Sequence, residues 1–305
     1  MRDLSREAEV RTAIGSQVDP GERLEFLAAD LGDDAGWEQA VQDCDHVLHV
    51  ASPFPPQQPK DPDELIVPAR DGTLRVLRAA LAAGAERVVI TSSVAAIGGG
   101  AKTDAALTER DWTDLASPQL SPYVQSKTIA EQAAWDFAAE AGAKDRVAVV
   151  NPGAILGPVL SEDRSFSLQL VERLLSGMPG VPRIGFSFVD VRDVADLQIR
   201  AMTMPEAGGE RFIAVGRFAW TSEVAEILRE GLGAEAEKVP TRKVPNLMVR
   251  AMAIFDPGVR SIVGQLGRKS NYSSEKARTT LGWTPRPLEE TVVETGRSMR
   301  RTGGG

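Results

Sequence analysis

Short apolar runs alternate with helical stretches along this chain, and that alternation limits the fold more than any other feature. His46-Val-Leu-His-Val50, Arg87-Val-Val-Ile-Thr91 and Val147-Ala-Val-Val150 are strand-length and almost continuously apolar. Between them, Glu64 to Ala83 and Tyr123 to Ala141 have helical periodicity and stop at Gly84 and Gly142. Strands of this kind separated by helices predict a parallel sheet covered on both faces, an α/β architecture. Such sheets place ligands beyond the carboxyl ends of their strands. That rule sets Asp30, Ala51-Ser52, Ser92-Ser93 and Pro152-Gly153 along one crevice.

The same pattern predicts a helix over 5–13 capped by Ser5, a strand over 23–27 and a short helix over 37–41. Further on it predicts helices over 166–175 and 194–202 and strands over 186–189 and 211–215. The segments 222–232 and 273–281 read as a smaller lobe. The glycine tail from Gly303 to Gly305 is expected to be disordered.

A net charge of -8 argues against a nucleic-acid partner, which would need a basic face. No apolar run approaches the roughly 20 residues of a membrane helix, so a membrane partner is not expected. Met1 is followed by charges rather than a signal core, and a cytoplasmic location is the default expectation. The single cysteine, Cys44, excludes an internal disulfide and a cysteine-rich metal site. His46 and His49 are three apart on one strand and face opposite sides of a sheet, so no metal site is expected.

Tyr123 and Lys127 are four apart on a helix and therefore share a face. A phenol with pKa near ~10 is a poor acid–base group at neutral pH. A neighbouring ammonium is expected to lower that pKa and make the phenol a usable proton donor. Ser93, closing an apolar strand, can hold an oxygen beside it. The spacing alone proves little, because Tyr272 and Lys276 repeat it. Context separates them: only Tyr123 has a strand-terminal serine upstream and an apolar strand ending in Asn151-Pro152-Gly153 downstream. Tyr272 is expected to serve packing or surface.

Several motifs follow in order: Leu27-Ala-Ala-Asp-Leu31, Val47-Leu-His-Val-Ala-Ser-Pro53, Val67-Pro-Ala-Arg-Asp-Gly-Thr-Leu74 and Val88-Val-Ile-Thr-Ser-Ser93. Tyr123-Val-Gln-Ser-Lys-Thr-Ile-Ala-Glu131, Asn151-Pro-Gly-Ala-Ile-Leu-Gly-Pro158 and Leu281-Gly-Trp-Thr-Pro285 complete the set. Together they resemble the extended short-chain dehydrogenase/reductase superfamily, and within it the dihydroflavonol-4-reductase-like aldehyde and ketone reductases. The resemblance implies a Rossmann-like doubly wound parallel sheet with a smaller C-terminal substrate lobe. It places the nucleotide lobe at 1–157 with about 188–216, and the substrate lobe at 158–187 and 217–305. It implies Ser93, Tyr123 and Lys127 as the catalytic trio, with Tyr123 and Lys127 also on the cofactor. Asp30-Leu31 would lie at the adenine, Ala51-Ser52 under the pyrophosphate and ribose, Pro152-Gly153 at the carboxamide, and Ser167 against the cofactor. Arg2 occupies the place of a 2′-phosphate contact, which favours NADP over NAD.

The implied activity is reduction of a small-to-medium aldehyde or ketone by a monomer or homodimer. Two alternatives stand beside it: a sugar-nucleotide epimerase or dehydratase, which shares the trio, and a non-catalytic binding or sensor protein. The latter arises because the family's first strand, Gly-rich turn and first helix have no counterpart ahead of Arg2, which makes the expected fold N-terminally truncated. Relatives carry valine where Met1 stands, so Met1 is expected to be an internal GTG valine codon of a longer gene, with the Gly-rich segment encoded upstream.

Overall fold

The computed structural model describes residues 1–305 except 56–58, 102, 104, 119, 162–164, 256–262 and 303–305. The expected disorder of Gly303 to Gly305 and part of the proline-rich loop therefore lie outside the described residues. Four strands form the main sheet in the order β1 (His46–His49), β2 (Arg87–Thr91), β3 (Val147–Pro152) and β7 (Arg211–Ala214), all parallel. The register pairs Leu48 with Val89, Ile90 with Val149 and Val150 with Phe212. Strands β2 and β3 read as apolar runs because both faces are covered: Val88, Val147 and Val149 have no exposed surface, nor has Phe212 of β7, whereas Leu48 of β1 is exposed.

Helices α1 (Glu7–Gly15) and α2 (Trp37–Val41) precede β1. The long α3 (Asp63–Ala82) and α5 (Pro122–Glu140) pack together on one face of the sheet. Between β2 and α5 lies the single turn α4 (Ala95–Gly98). Leu77, Ala80, Ala134 and Ala138 fill the contact with β1 to β3. Helix α7 (Val191–Thr203) packs against β2 and β3, with Leu197 and Ala201 buried beside Trp283.

A second sheet joins β4 (Ala154–Leu156), β6 (Gly185–Asp190) and β8 (Arg217–Trp220), with β6 and β8 antiparallel. Helices α6 (Phe166–Ser176), α8 (Thr221–Leu232) and Leu288–Thr302 enclose its core around Leu174, Phe188, Leu228 and Val292. A two-residue pairing of β5 (Val181–Pro182) with β9 (Lys243–Val244) closes this lobe. The expected α/β, Rossmann-like sheet with a smaller C-terminal lobe is what the structure shows.

Two local expectations fail. The segment 23–27 forms no strand; a 3-10 turn at Gly21–Arg23 runs into extended backbone. A strand needs a neighbour for its backbone groups, and here the pairing with Met1 reaches only Leu27 and Ala29. The Met1 amino group donates to the Leu27 carbonyl at 2.5 Å, and Ala29 N–H donates to the Met1 carbonyl at 3.1 Å. Ser5 caps no helix; it lies inside a 3-10 turn, Leu4–Arg6, that leads into α1 and is itself capped by Asp3, whose carboxylate accepts from Ser5 N–H at 2.8 Å. An aspartate outcompetes serine there because a charged acceptor also meets the positive helix end.

Candidate active site

Each element delivers one piece of the site. Strand β2 ends at Thr91, and Ser92-Ser93 follow; Ser92 N–H donates to the Val150 carbonyl, extending the sheet register by one residue. The turn then closes as Ser93 Oγ accepts from Ala95 N–H at 3.1 Å. Ser121 caps α5 by accepting from Val124 N–H, and Pro122 takes the first helical position, where a missing N–H costs nothing. Tyr123 thus starts the helix at the crevice mouth, with Lys127 one turn inward. The Tyr123 ring meets Phe54 edge to face at 5.0 Å, and its hydroxyl is near enough to Ser93 for that side chain to influence its pKa. Lys127 Nζ is 3.5 Å from the Thr91 carbonyl. The three residues singled out by spacing are brought together at one strand end.

Beside Lys127 a small opening is lined by His49, Ala51, Ser52, Thr73, Thr91 and Glu131 among others. Burial lowers Lys127 to about 8, with the Glu131 carboxylate opposing the shift. Tyr123 is displaced upward by burial, and Ser93 offsets that only in part. The expectation that the ammonium draws the phenol down is therefore corrected. Desolvation disfavours phenolate more than the polar neighbours favour it. The phenol is held protonated, which is the state a proton donor requires.

Pro152-Gly153 stands at the end of β3. Gly153 N–H donates to the Ala214 carbonyl, and Val94 N–H donates to that of Pro152, so β3 is tied to β7 and to α4. A Cβ on Gly153 would sit 2.1 Å from the Ser187 carbonyl oxygen, so only glycine admits this approach. Leu31 presses on α3 at Gly72, where an added Cβ would meet Leu31 Cβ at 2.8 Å. The Asp30 carboxylate turns to its own loop, accepting from Gly32 N–H at 2.7 Å. Ser167 is half-buried in the first turn of α6, and Arg2 is exposed beside Met1.

Tyr272 sits in a separate apolar cluster. Its ring packs against Gly98 and Leu107 beside Ile97 and Val215, and burial raises its pKa to about 12. Leu107 N–H donates to the Asn271 carbonyl and Ser273 N–H to that of Leu107, which pins this ring in place.

Spacing did not point to the groups behind the trio. Glu131, two turns along α5 from Tyr123, is almost fully buried and pairs with Arg211 of β7 at 2.5 Å. The Arg211 guanidinium lies 3.6 Å from the centre of the Trp112 ring. A carboxylate set among Ala130, Ala133 and Ala134 on the same helix face as Tyr123 and Lys127 was the available signal.

Ser52 and Lys127 line one opening, and Tyr123 stands one turn along α5 from Lys127, so these are residues that could hold the nicotinamide–ribose end of a dinucleotide. Residues 1–305 carry no Gly-rich turn at the free edge of β1 to face a pyrophosphate. No group of three or more His, Cys, Asp or Glu able to hold a metal occurs among the described residues. Among those residues no helix is long and apolar enough to cross a membrane.

Comparison with known proteins agrees with this geometry. A cinnamoyl-CoA reductase of Medicago truncatula is 34% identical over 286 residues, covering 92% of this chain and 80% of the relative. The crystal structure of yeast methylglyoxal/isovaleraldehyde reductase Gre2 complexed with NADPH superposes with a TM-score of 0.80 at 25% identity, over 100% of this chain and 91% of that one. The Gre2–NADPH complex from Candida albicans gives 0.80 and 25%, over 99% and 90%. The family model of the NAD dependent epimerase/dehydratase family matches residues 4–216, and the chain belongs to that family.

Proposed function

We propose that the chain is an NADP-dependent oxidoreductase that reduces a small-to-medium aldehyde or ketone. Residues 1–157 with about 188–216 would hold the nucleotide, and 158–187 with 217–305 the substrate. The observation that carries the reading is the meeting of Tyr123 with Ser93 at the end of β2, with half-buried Lys127 one turn behind on α5 and 3.5 Å from the Thr91 carbonyl. Bound there, the reduced dinucleotide would supply hydride to the carbonyl carbon. Ser93 Oγ–H donates to the carbonyl oxygen and orients it, and Tyr123 Oη–H delivers the proton to that same oxygen. Lys127 supplies positive charge behind the phenol as negative charge develops on it. Ser52 and Lys127 would hold the ribose, and Pro152-Gly153 the carboxamide. Asp30-Leu31 would lie at the adenine, with Arg2 at the 2′-phosphate and Ser167 closing over the cofactor.

The test is NADPH consumption by the 305-residue chain against a panel of aliphatic and aromatic aldehydes and ketones, with UDP-sugars in parallel. Turnover of carbonyl compounds alone supports the reading. Conversion of a UDP-sugar alone favours the epimerase reading, and NADPH binding without turnover of either favours the binding protein.

A further inference from the structure

Behind the trio, one buried carboxylate ties together every element that carries it. The Glu131 side chain has no exposed surface. It accepts from Ser92 Oγ at 2.5 Å, Asn151 Nδ2 at 2.7 Å, Arg211 Nε at 2.5 Å and Trp135 Nε1 at 3.5 Å. An ionised carboxylate is acceptor-only with about four lone-pair sites, so four donors saturate it. Two of those donors lead to Ser93: Ser92 precedes it, and Asn151 Nδ2 also donates to the Ser93 carbonyl at 3.2 Å. Through α5 the same carboxylate shares a face with Lys127 and Tyr123, one and two turns away.

On its far side Glu131 reaches the loop between β2 and α5. Arg211, its counter-ion, donates to the carbonyls of Glu109 and Asp111 and stacks on Trp112. Thr113, next in sequence, donates to the Ala95 carbonyl and accepts from Gly99 N–H, which fixes the turn after Ser93.

We infer that Glu131 is a positioning residue of the proposed reduction: it locks Ser93 against Tyr123 and supplies the fixed negative charge that keeps Lys127 an ammonium. This rests on the reductase reading for its catalytic consequence, but its electrostatic half concerns the free chain alone. Lys127 faces Glu131 and Tyr123 on α5 and His49 on β1. Thr73 of α3 and Thr91 and Ser92 of the β2 end are the uncharged neighbours. His49 is held neutral by burial and adds no charge near neutral pH. Glu131 is therefore the carboxylate that opposes the desolvation of Lys127, and it is the same carboxylate that pairs with Arg211.

The sign of that arrangement makes it testable. Glu131→Gln removes the negative charge, and Arg211→Met removes the positive charge paired with it. Both disturb packing in the same network, but they shift Lys127 oppositely. The measurement is the titration of the Lys127 ammonium by NMR in the free chain, with the high-pH limb of kcat/KM as the second readout. Glu131→Gln should lower the Lys127 midpoint by about one pH unit, and Arg211→Met should raise it. Either variant suffices if the other fails to fold, and Glu131→Asp, which keeps the charge, should hold the midpoint near its starting value. A midpoint unmoved, or moved the same way by both changes, overturns the inference whatever the activity. Opposite midpoint shifts with no matching movement of the kcat/KM limb would support the electrostatic half and overturn the role in reduction.

Discussion

His49 Nε2 lies 3.2 Å from Thr73 Oγ1, and the Thr73 hydroxyl donates to the Ala69 carbonyl at 2.8 Å. The threonine proton is thus already committed, so Nε2 carries the hydrogen and His49 is the Nε2–H tautomer. Burial, reinforced by the Lys127 charge, lowers its pKa to about 4. Between about 4 and the unfolded value of 6.5 only the unfolded chain binds this proton. Stability should fall by on the order of 3 kcal/mol as pH drops through that window, and level off below it. His49→Gln keeps a donor for Thr73 without titrating. Urea unfolding of both proteins at pH 7 and pH 4.5 checks this: the variant should lose less stability on acidification than the parent.

Lys127 presents the same sign at higher pH. Its folded pKa of about 8 lies below the free value of 10.5, so the unfolded chain binds the extra proton between the two. Stability should rise as pH increases through that window. Lys127→Met should abolish this rise and stabilise the fold at pH 7 by on the order of 3 kcal/mol, while reduction is lost. Thermal unfolding at pH 7 and 9.5, with NADPH turnover, checks both halves. A variant less stable at pH 7 than the parent would show that the ammonium is well compensated.

Tyr123→Phe should lower kcat for carbonyl reduction at least about 100-fold, the usual scale of a lost proton donor. Tyr272→Phe should leave most of the activity, because its ring packs at Gly98 and Leu107. Steady-state kinetics on both folded variants decides it, and equal losses would sink the assignment of Tyr123.

Arg2 tests the cofactor preference. If its guanidinium meets a 2′-phosphate, Arg2→Ala should erode the preference for NADPH over NADH by about 1 to 3 kcal/mol in the ratio of kcat/KM values. Equal kinetics with the two nucleotides before mutation would refute the pairing.

What the chain reveals by pattern is what short-range physics controls. Helices α3 and α5 and strands β1 to β3 stand within a few residues of their predicted limits, because apolar periodicity and the breaks at Gly84 and Gly142 are local signals. Tyr123 and Lys127 share a face for the same reason, and Ser93 joins them because a parallel sheet aligns its strand ends. The segment 23–27 escaped the pattern because a strand exists only with a partner along its length, and its pairing with Met1 reaches only Leu27. Tertiary structure also decided the pKa of Tyr123, since burial is a sum over neighbours from many parts of the chain. It decided the role of Glu131 as well. An isolated carboxylate on a helix looks solvent-facing until folding brings Arg211, eighty residues on, and Asn151, twenty on, to its two oxygens.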